Sequence, residues 1–104
     1  GYGAPEQLNN EKGSVSFKTD FFSIGVLMYR LFSGFDPFVP RSNMSIHEVM
    51  IATLSLNPPP LAVAAGASQQ LSDFVAKAMM KLPWQRHRTP LLFIEELQAL
   101  LKNY

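Results

Sequence analysis

Between Phe21 and Phe32 the apolar residues are Phe21, Phe22, Ile24, Val26, Leu27, Met28, Tyr29, Leu31 and Phe32. They cover nearly the whole circumference of a helix instead of one stripe, the pattern of a helix enclosed by protein on every side. Asp20, preceded by Thr19, stands where a side chain would cap the first turn, and Gly34 stands where a C′ glycine would end the last. A helix is predicted over 20–33. Ser45 is followed three residues later by Glu48, with Met44 opposite Val49, which predicts a capping box and hydrophobic staple at the start of a second helix. It should run through Leu54, until Asn57-Pro58-Pro59-Pro60 imposes extended backbone. Leu71, Phe74, Val75, Ala78, Met79 and Leu82 fall on one face of a third helix, with Ser68 as its cap and Pro83 as its stop. Thr89-Pro90 opens a fourth, which carries Phe93, Leu97, Leu100 and Tyr104 along one side. No alternating run is long enough to build a sheet, Val15-Ser16-Phe17 being only a short ambiguous stretch. The expected fold class is all-α, a buried central helix with three further main helices.

That arrangement carries a physical tension. Three shorter helices and their loops are little material to enclose a helix that is apolar all round. Two solutions remain: the chain packs against polypeptide outside it, either its own or a partner's, or its long loops cover the central helix. With 104 residues, 47% hydrophobic and 16% charged, a chain of this size buries roughly 65% of its extended surface. It is therefore one small domain or one piece of a larger one.

The net charge of +1 lacks the dense basic surface of nucleic-acid-binding modules, so nucleic acid is not an expected partner. There is no cysteine, and His47 and His87 lie far apart, so neither a disulfide framework nor a structural zinc is expected. The uncharged stretch from Val49 to Ser72 is broken by three prolines and several Ser and Gln residues, and reads as a loop between helices instead of a membrane segment. No secretory leader pattern appears, which points to the cytoplasm. The opening Gly1-Tyr2-Gly3-Ala4-Pro5-Glu6 also fits a piece of a longer chain, in which a leader would be invisible.

The glycines form neither of the phosphate-cradling patterns GxGxxG and GxxxxGK. His47-Glu48 does not begin HExxH, because Ile51 stands where the second histidine belongs, and no serine lies in GxSxG. Glu95 and Glu96 are about 100° apart on a helix and do not converge as an acid/base pair. No catalytic residue, metal ligand set or cofactor cradle is expected in this chain. Glu6 and Arg86 stand apart as a carboxylate and a guanidinium able to lock two loops by a bidentate bond. Spacing alone does not pair them, and the surface is the default place for both.

Four blocks carry a specific likeness. Tyr2-Gly3-Ala4-Pro5-Glu6-Gln7 resembles the end of a protein-kinase activation segment, Tyr-x-Ala-Pro-Glu, with the Gln familiar from bacterial serine/threonine kinases. Thr19-Asp20-Phe21-Phe22-Ser23-Ile24-Gly25-Val26-Leu27-Met28-Tyr29-Arg30-Leu31-Phe32-Ser33-Gly34 resembles the central helix of that family, and Asp36-Pro37-Phe38 the Pro-Phe that follows it. Pro83-Trp84-Gln85-Arg86 resembles Pro-x-x-Arg before its last helix. The blocks follow family order across nearly the whole chain.

The resemblance implies the C-terminal part of the large kinase lobe, with 1–19 as the end of the activation segment and following loop and 20–104 as a helical subdomain. It implies a structural ion pair between Glu6 and Arg86, support of the catalytic loop by Asp20, and a substrate-pocket border at Tyr2, Gly3 and Ala4. An intact parent would use ATP and Mg²⁺ to phosphorylate hydroxyls of a protein or peptide substrate. Asp20-Phe21-Phe22 is not the metal-binding Asp-Phe-Gly of the family, since it lacks the glycine and opens a buried helix. The glycine-rich loop, its lysine, His-Arg-Asp and Asp-Phe-Gly all belong upstream, so this chain alone is expected to be inactive, with no cofactor of its own. Its expected partner is the N-terminal part of the domain or another protein.

Some positions depart from the family. Leu82 replaces the usual Asp before Pro83, Arg30 replaces a common Glu, and the interval from Glu6 to Asp20 is long. Arg88-Thr89 falls one residue late relative to Arg-x-Thr, which makes Arg88 a competitor of Arg86 for Glu6. Two other functions fit the same residues: a non-catalytic kinase-like interaction module, and a helical domain that hides its central helix by homo-oligomerisation.

Overall fold

The computed structural model describes residues 4–8, 17–39 and 42–102. Among them the chain is all helical, in the order α1 (Pro5–Leu8), α2 (Phe17–Ser33), α3 (Ile46–Ser55), α4 (Leu61–Ala64), α5 (Gln69–Ala78), a 3₁₀ turn (Pro83–Gln85) and α6 (Pro90–Lys102). None of these helices is long and apolar enough to cross a membrane.

Local chemistry explains most of the boundaries. At α3, Glu48 N–H donates to Ser45 Oγ at 3.1 Å and Ser45 N–H donates to Glu48 Oε1 at 3.2 Å, so both halves of the capping box form. Ser68 Oγ accepts from Leu71 N–H at 3.2 Å to start α5. Thr89 Oγ1 accepts from Leu92 N–H at 3.1 Å at the head of α6. Gly34, at φ +80°, donates its N–H to Arg30 O at 2.9 Å and ends α2 in the left-handed region that glycine enters without strain. Val15, Ser16 and Tyr104 lie outside the described residues.

Three boundaries differ from the sequence pattern, each because of a tertiary contact. Helix α2 starts at Phe17, not Asp20. The Phe17 ring meets that of Phe21 one turn on, with centroids 5.6 Å apart, and Lys18 and Thr19 are tied down by the ion pair described below. Asp20 is thus an exposed residue of the first turn instead of its cap. Helix α5 ends at Ala78, well before Pro83, because the carbonyls of Met80 and Lys81 turn toward the Arg86 side chain. The stretch after the prolines is not all extended: Pro60 leads into the single turn α4, with Leu61 buried and Ala62 N–H donating to the buried Ser72 Oγ of α5 at 3.0 Å.

The core lies between α2 and α5, closed by α4 and α6. Gly25 allows the close approach of the two main helices, since a Cβ there would lie 2.8 Å from Met79 Cγ and 3.0 Å from Ala78 Cβ. Phe21 of α2 stacks on Phe93 of α6 at 4.3 Å, Phe22 stacks on Phe38 at 5.7 Å, and Tyr29 Oη donates to Pro59 O at 2.6 Å. Helix α2 is central to the fold, and the described residues cover it on one side, as expected of a chain that packs against polypeptide outside it. Thr19, Phe21, Phe22, Gly25 and Tyr29 are its buried residues. On the opposite face, Leu27 and Leu31 are 53% and 72% exposed, and Ile24 shares that face. The described residues cover one side of an apolar helix and leave the other bare.

Candidate functional site

Glu6 lies in the single turn α1, and Arg86 follows the 3₁₀ turn that Pro83 initiates with its fixed φ. Eighty residues apart in the chain, they meet as a fork: Arg86 Nη1 donates to Glu6 Oε2 at 2.8 Å and Nη2 to Oε1 at 2.9 Å. Both side chains are almost fully buried. Arg88 is exposed, so the competition between the two arginines is resolved in favour of Arg86.

A buried ion pair is tolerated only when its remaining donors and acceptors are satisfied. Here Thr19 Oγ1 donates to Glu6 Oε2 at 2.7 Å. Arg86 Nε donates to Met80 O at 2.8 Å, Nη1 also to Lys18 O at 2.8 Å, and Nη2 to Lys81 O at 3.4 Å. The guanidinium carbon lies 5.0 Å from the centroid of the Phe22 ring, a cation–π contact. Burial pushes the Glu6 carboxyl up, but hydrogen bonds from Arg86, Thr19 and its own backbone, together with the Arg86 charge, outweigh it and hold the group below its ordinary value. Glu6 is therefore an anion that structures its surroundings, not a proton carrier. The cluster binds α1, the first turn of α2 and the turn before α6 into one unit.

The other predicted site residues fall around this cluster unevenly. Ala4 is completely buried beside α1, whereas Tyr2 and Gly3 lie outside the described residues. Asp20 follows Thr19 directly and is exposed on α2. Among the described residues no group of three His, Asp or Glu side chains is placed to hold a metal ion. His47 is exposed on α3.

Thr19 was legible only as the neighbour of a capping residue, and its bond to Glu6 had no signal in spacing. Lys81 and His87 carried none either. Lys81 Nζ donates to Thr53 O at 2.7 Å and sits 4.1 Å from the Phe38 ring centroid. His87 is buried among Phe21, Phe74 and Phe93, at centroid distances of 6.0, 4.7 and 4.9 Å. Its Nε2 lies 3.0 Å from Glu96 Oε2 without the alignment of a hydrogen bond. Burial draws His87 below its ordinary value, Glu96 pulling the other way and Lys77 reinforcing the shift.

No protein-family model matches the chain. It is 29% identical over 103 residues to a probable serine/threonine-protein kinase of Clostridium perfringens, covering 98% of this chain and 14% of that protein. It is 31% identical over 103 residues to the serine/threonine-protein kinase PknL of Mycobacterium tuberculosis, covering 98% of this chain and 25% of that protein. The chain thus spans a quarter or less of these curated relatives. Among solved structures it matches the twitchin kinase region from C. elegans with a TM-score of 0.69 and 22% identity, over 99% of this chain and 21% of that one. The fold is kinase-like and all-α, similar to part of a protein-kinase domain and distantly related to serine/threonine kinases.

Proposed function

We propose that this chain is the C-terminal, substrate-side part of a serine/threonine protein kinase domain of bacterial style, acting in the cytoplasm. Joined to the upstream half of the domain, it takes part in transfer of the ATP γ-phosphate to protein hydroxyls. The observation that carries this reading is the buried Glu6–Arg86 fork, which fastens the segment beginning at Ala4 to α2 and to the turn before α6. Such a lock holds a substrate-facing loop in one geometry, and small displacements of a positioned loop reduce rate steeply. In this reading Tyr2, Gly3 and Ala4 border the pocket for the substrate residue after the phosphorylated one. Asp20, exposed at the first turn of α2, receives backbone N–H groups of the catalytic loop.

The described carboxylates and imidazoles form no metal cluster, and no glycine-rich phosphate cradle occurs in the sequence. In this reading ATP and Mg²⁺ are held by the upstream half of the domain. The uncovered face of α2 at Ile24, Leu27 and Leu31 suits that half as its occupant, since a kinase-like fold places its central helix inside the lobe.

The deciding experiment joins this chain to the coding sequence that precedes it in its gene and measures Mg²⁺-dependent transfer of phosphate from ATP to casein. Transfer by the joined protein, with none from the chain alone and a large loss in Asp20→Ala, is the expected result. A joined protein that folds but transfers nothing, with the upstream lysine and His-Arg-Asp replaced, would instead favour the non-catalytic interaction module.

A further inference from the structure

His87 is 1% exposed. Its ring meets Phe21 of α2 and Phe93 of α6 edge-on, and lies at a tilt against Phe74 of α5. Among the described residues neither ring nitrogen has a hydrogen-bond partner. Buried polar groups are normally paired, and an exception calls for an account. The neutral ring bears the cost of unmade hydrogen bonds, and a proton would add a charge that three phenyl walls solvate poorly.

The charges that act on the ring come from two elements. Glu96 of α6 places Oε2 3.0 Å from Nε2, off the line of a hydrogen bond, and its side chain is 49% exposed. Lys77 of α5 opposes a proton on the ring. Asp73 of α5 is turned to Gln69 Nε2 at 2.7 Å, Arg86 is held by Glu6, and α2 presents the Phe21 ring. An open cleft of about 380 Å³ lies between α5 and α6, with Phe74, Lys77, Glu96 and Leu100 in its lining. Solvent that enters there screens the Glu96 charge. Burial therefore outweighs Glu96 and draws His87 below its ordinary 6.5. Helix α6 is the element that can yield. Phe93 is its buried residue, and Leu97 and Leu100 are half-buried against the core. Just upstream, Arg86 is fixed by the fork and by the carbonyls of Lys18, Met80 and Lys81, whereas Arg88 and Thr89 are exposed.

We propose that His87 is the latch of an acid-released helix: proton uptake by its imidazole frees α6 from α2 and α5 about a hinge at residues 87–89, while the Glu6–Arg86 fork holds the rest of the fold. In the open state the ring stands in water with its ordinary value near 6.5, so protons favour opening as the pH falls below it. The opening equilibrium shifts by at most about tenfold per pH unit. Glu6 titrates below 4.5, so the fork outlasts the latch on acidification. The latch is independent of the kinase reading and requires no phosphoryl transfer.

The test is amide hydrogen exchange of the protein read by mass spectrometry at about pH 7.5 and about pH 5.5, each rate divided by the intrinsic rate at that pH. Peptides from α6 and α2 are followed separately. Protection of α6 is expected to fall severalfold at the lower pH, up to about tenfold, while that of α2 holds. His87→Phe keeps an aromatic ring in the box without a titrating group and should abolish the fall. Glu96→Gln removes the carboxylate that favours the proton and should retain or deepen it. If His87→Phe does not fold, the comparison of α6 with α2 in the unaltered protein and in Glu96→Gln still decides. Equal α6 protection at both pH values overturns the latch, as does an equal fall in α2. An undiminished fall in folded His87→Phe also overturns it, and a fall lost in Glu96→Gln assigns the titration to Glu96 and overturns it as well.

Discussion

Replacing Glu6 by Gln keeps the shape of the side chain and removes its charge, leaving the Arg86 guanidinium buried without a counter-ion. Breaking one side of a buried pair costs about 3 to 5 kcal/mol, against a total of about 5 to 15 kcal/mol for a domain. The structure predicts an asymmetry between the partners. With Glu6 neutralised, Arg86 still donates to the carbonyls of Lys18, Met80 and Lys81, so Glu6→Gln should lie near the lower bound. Arg86→Met strands the buried Glu6 carboxylate and also removes the donor that those part-buried carbonyls share, so it should cost more. The double variant Glu6→Leu/Arg86→Met removes both charges and should recover about 2 kcal/mol or more relative to the sum of the single variants Glu6→Leu and Arg86→Met. Urea unfolding followed by circular dichroism measures this. With a slope of about 1.5 kcal/mol per molar, a loss of about 3 kcal/mol moves the midpoint down by about 2 M. The same fork sets an acid limit. The folded Glu6 group titrates below its ordinary value of 4.5, so its contribution is complete above the unfolded value and is lost as pH falls through the folded one. Glu6→Gln should flatten that acid limb. Single-variant losses under about 0.5 kcal/mol that add without coupling, on an unchanged acid limb, would refute the reasoning.

Gly25→Ala gains helix propensity worth about 1 kcal/mol, but its methyl group meets Met79 and the unyielding Ala78 Cβ. Overpacking at about 1 to 3 kcal/mol should win, giving a net thermal destabilisation by calorimetry; a stabilised variant would show that α2 and α5 separate freely. His87 is held below 6.5 by burial, so it favours protonation of the unfolded chain. Stability should fall as pH drops from about 6.5 toward the folded value, and His87→Phe should remove that slope in urea titrations at successive pH values. Leu27→Lys/Leu31→Lys changes residues that are exposed in this chain, so unfolding should shift by about 0.5 kcal/mol or less per site. In sedimentation the variant should associate less with itself. A large loss of stability in the dilute monomer would place those leucines inside a core.

Local chemistry was readable from the residues alone. The caps at Ser45, Ser68 and Thr89 and the stop at Gly34 depend on a few neighbouring atoms, so sequence spacing predicts them directly. The all-α class follows from the same kind of information, because helical periodicity repeats over distances that one element spans. Long-range choices were not readable. The pairing of Glu6 with Arg86 instead of Arg88, the Thr19 bond that completes it, the earlier start of α2 at Phe17 and the early end of α5 at Ala78 all depend on atoms that only packing brings together. Apolar residues around the full circumference of α2 showed that it seeks protein on every side. Only the tertiary structure decided which side this chain supplies, because hydrophobic burial is non-directional and the close approach at Gly25 selects α5 as the neighbour.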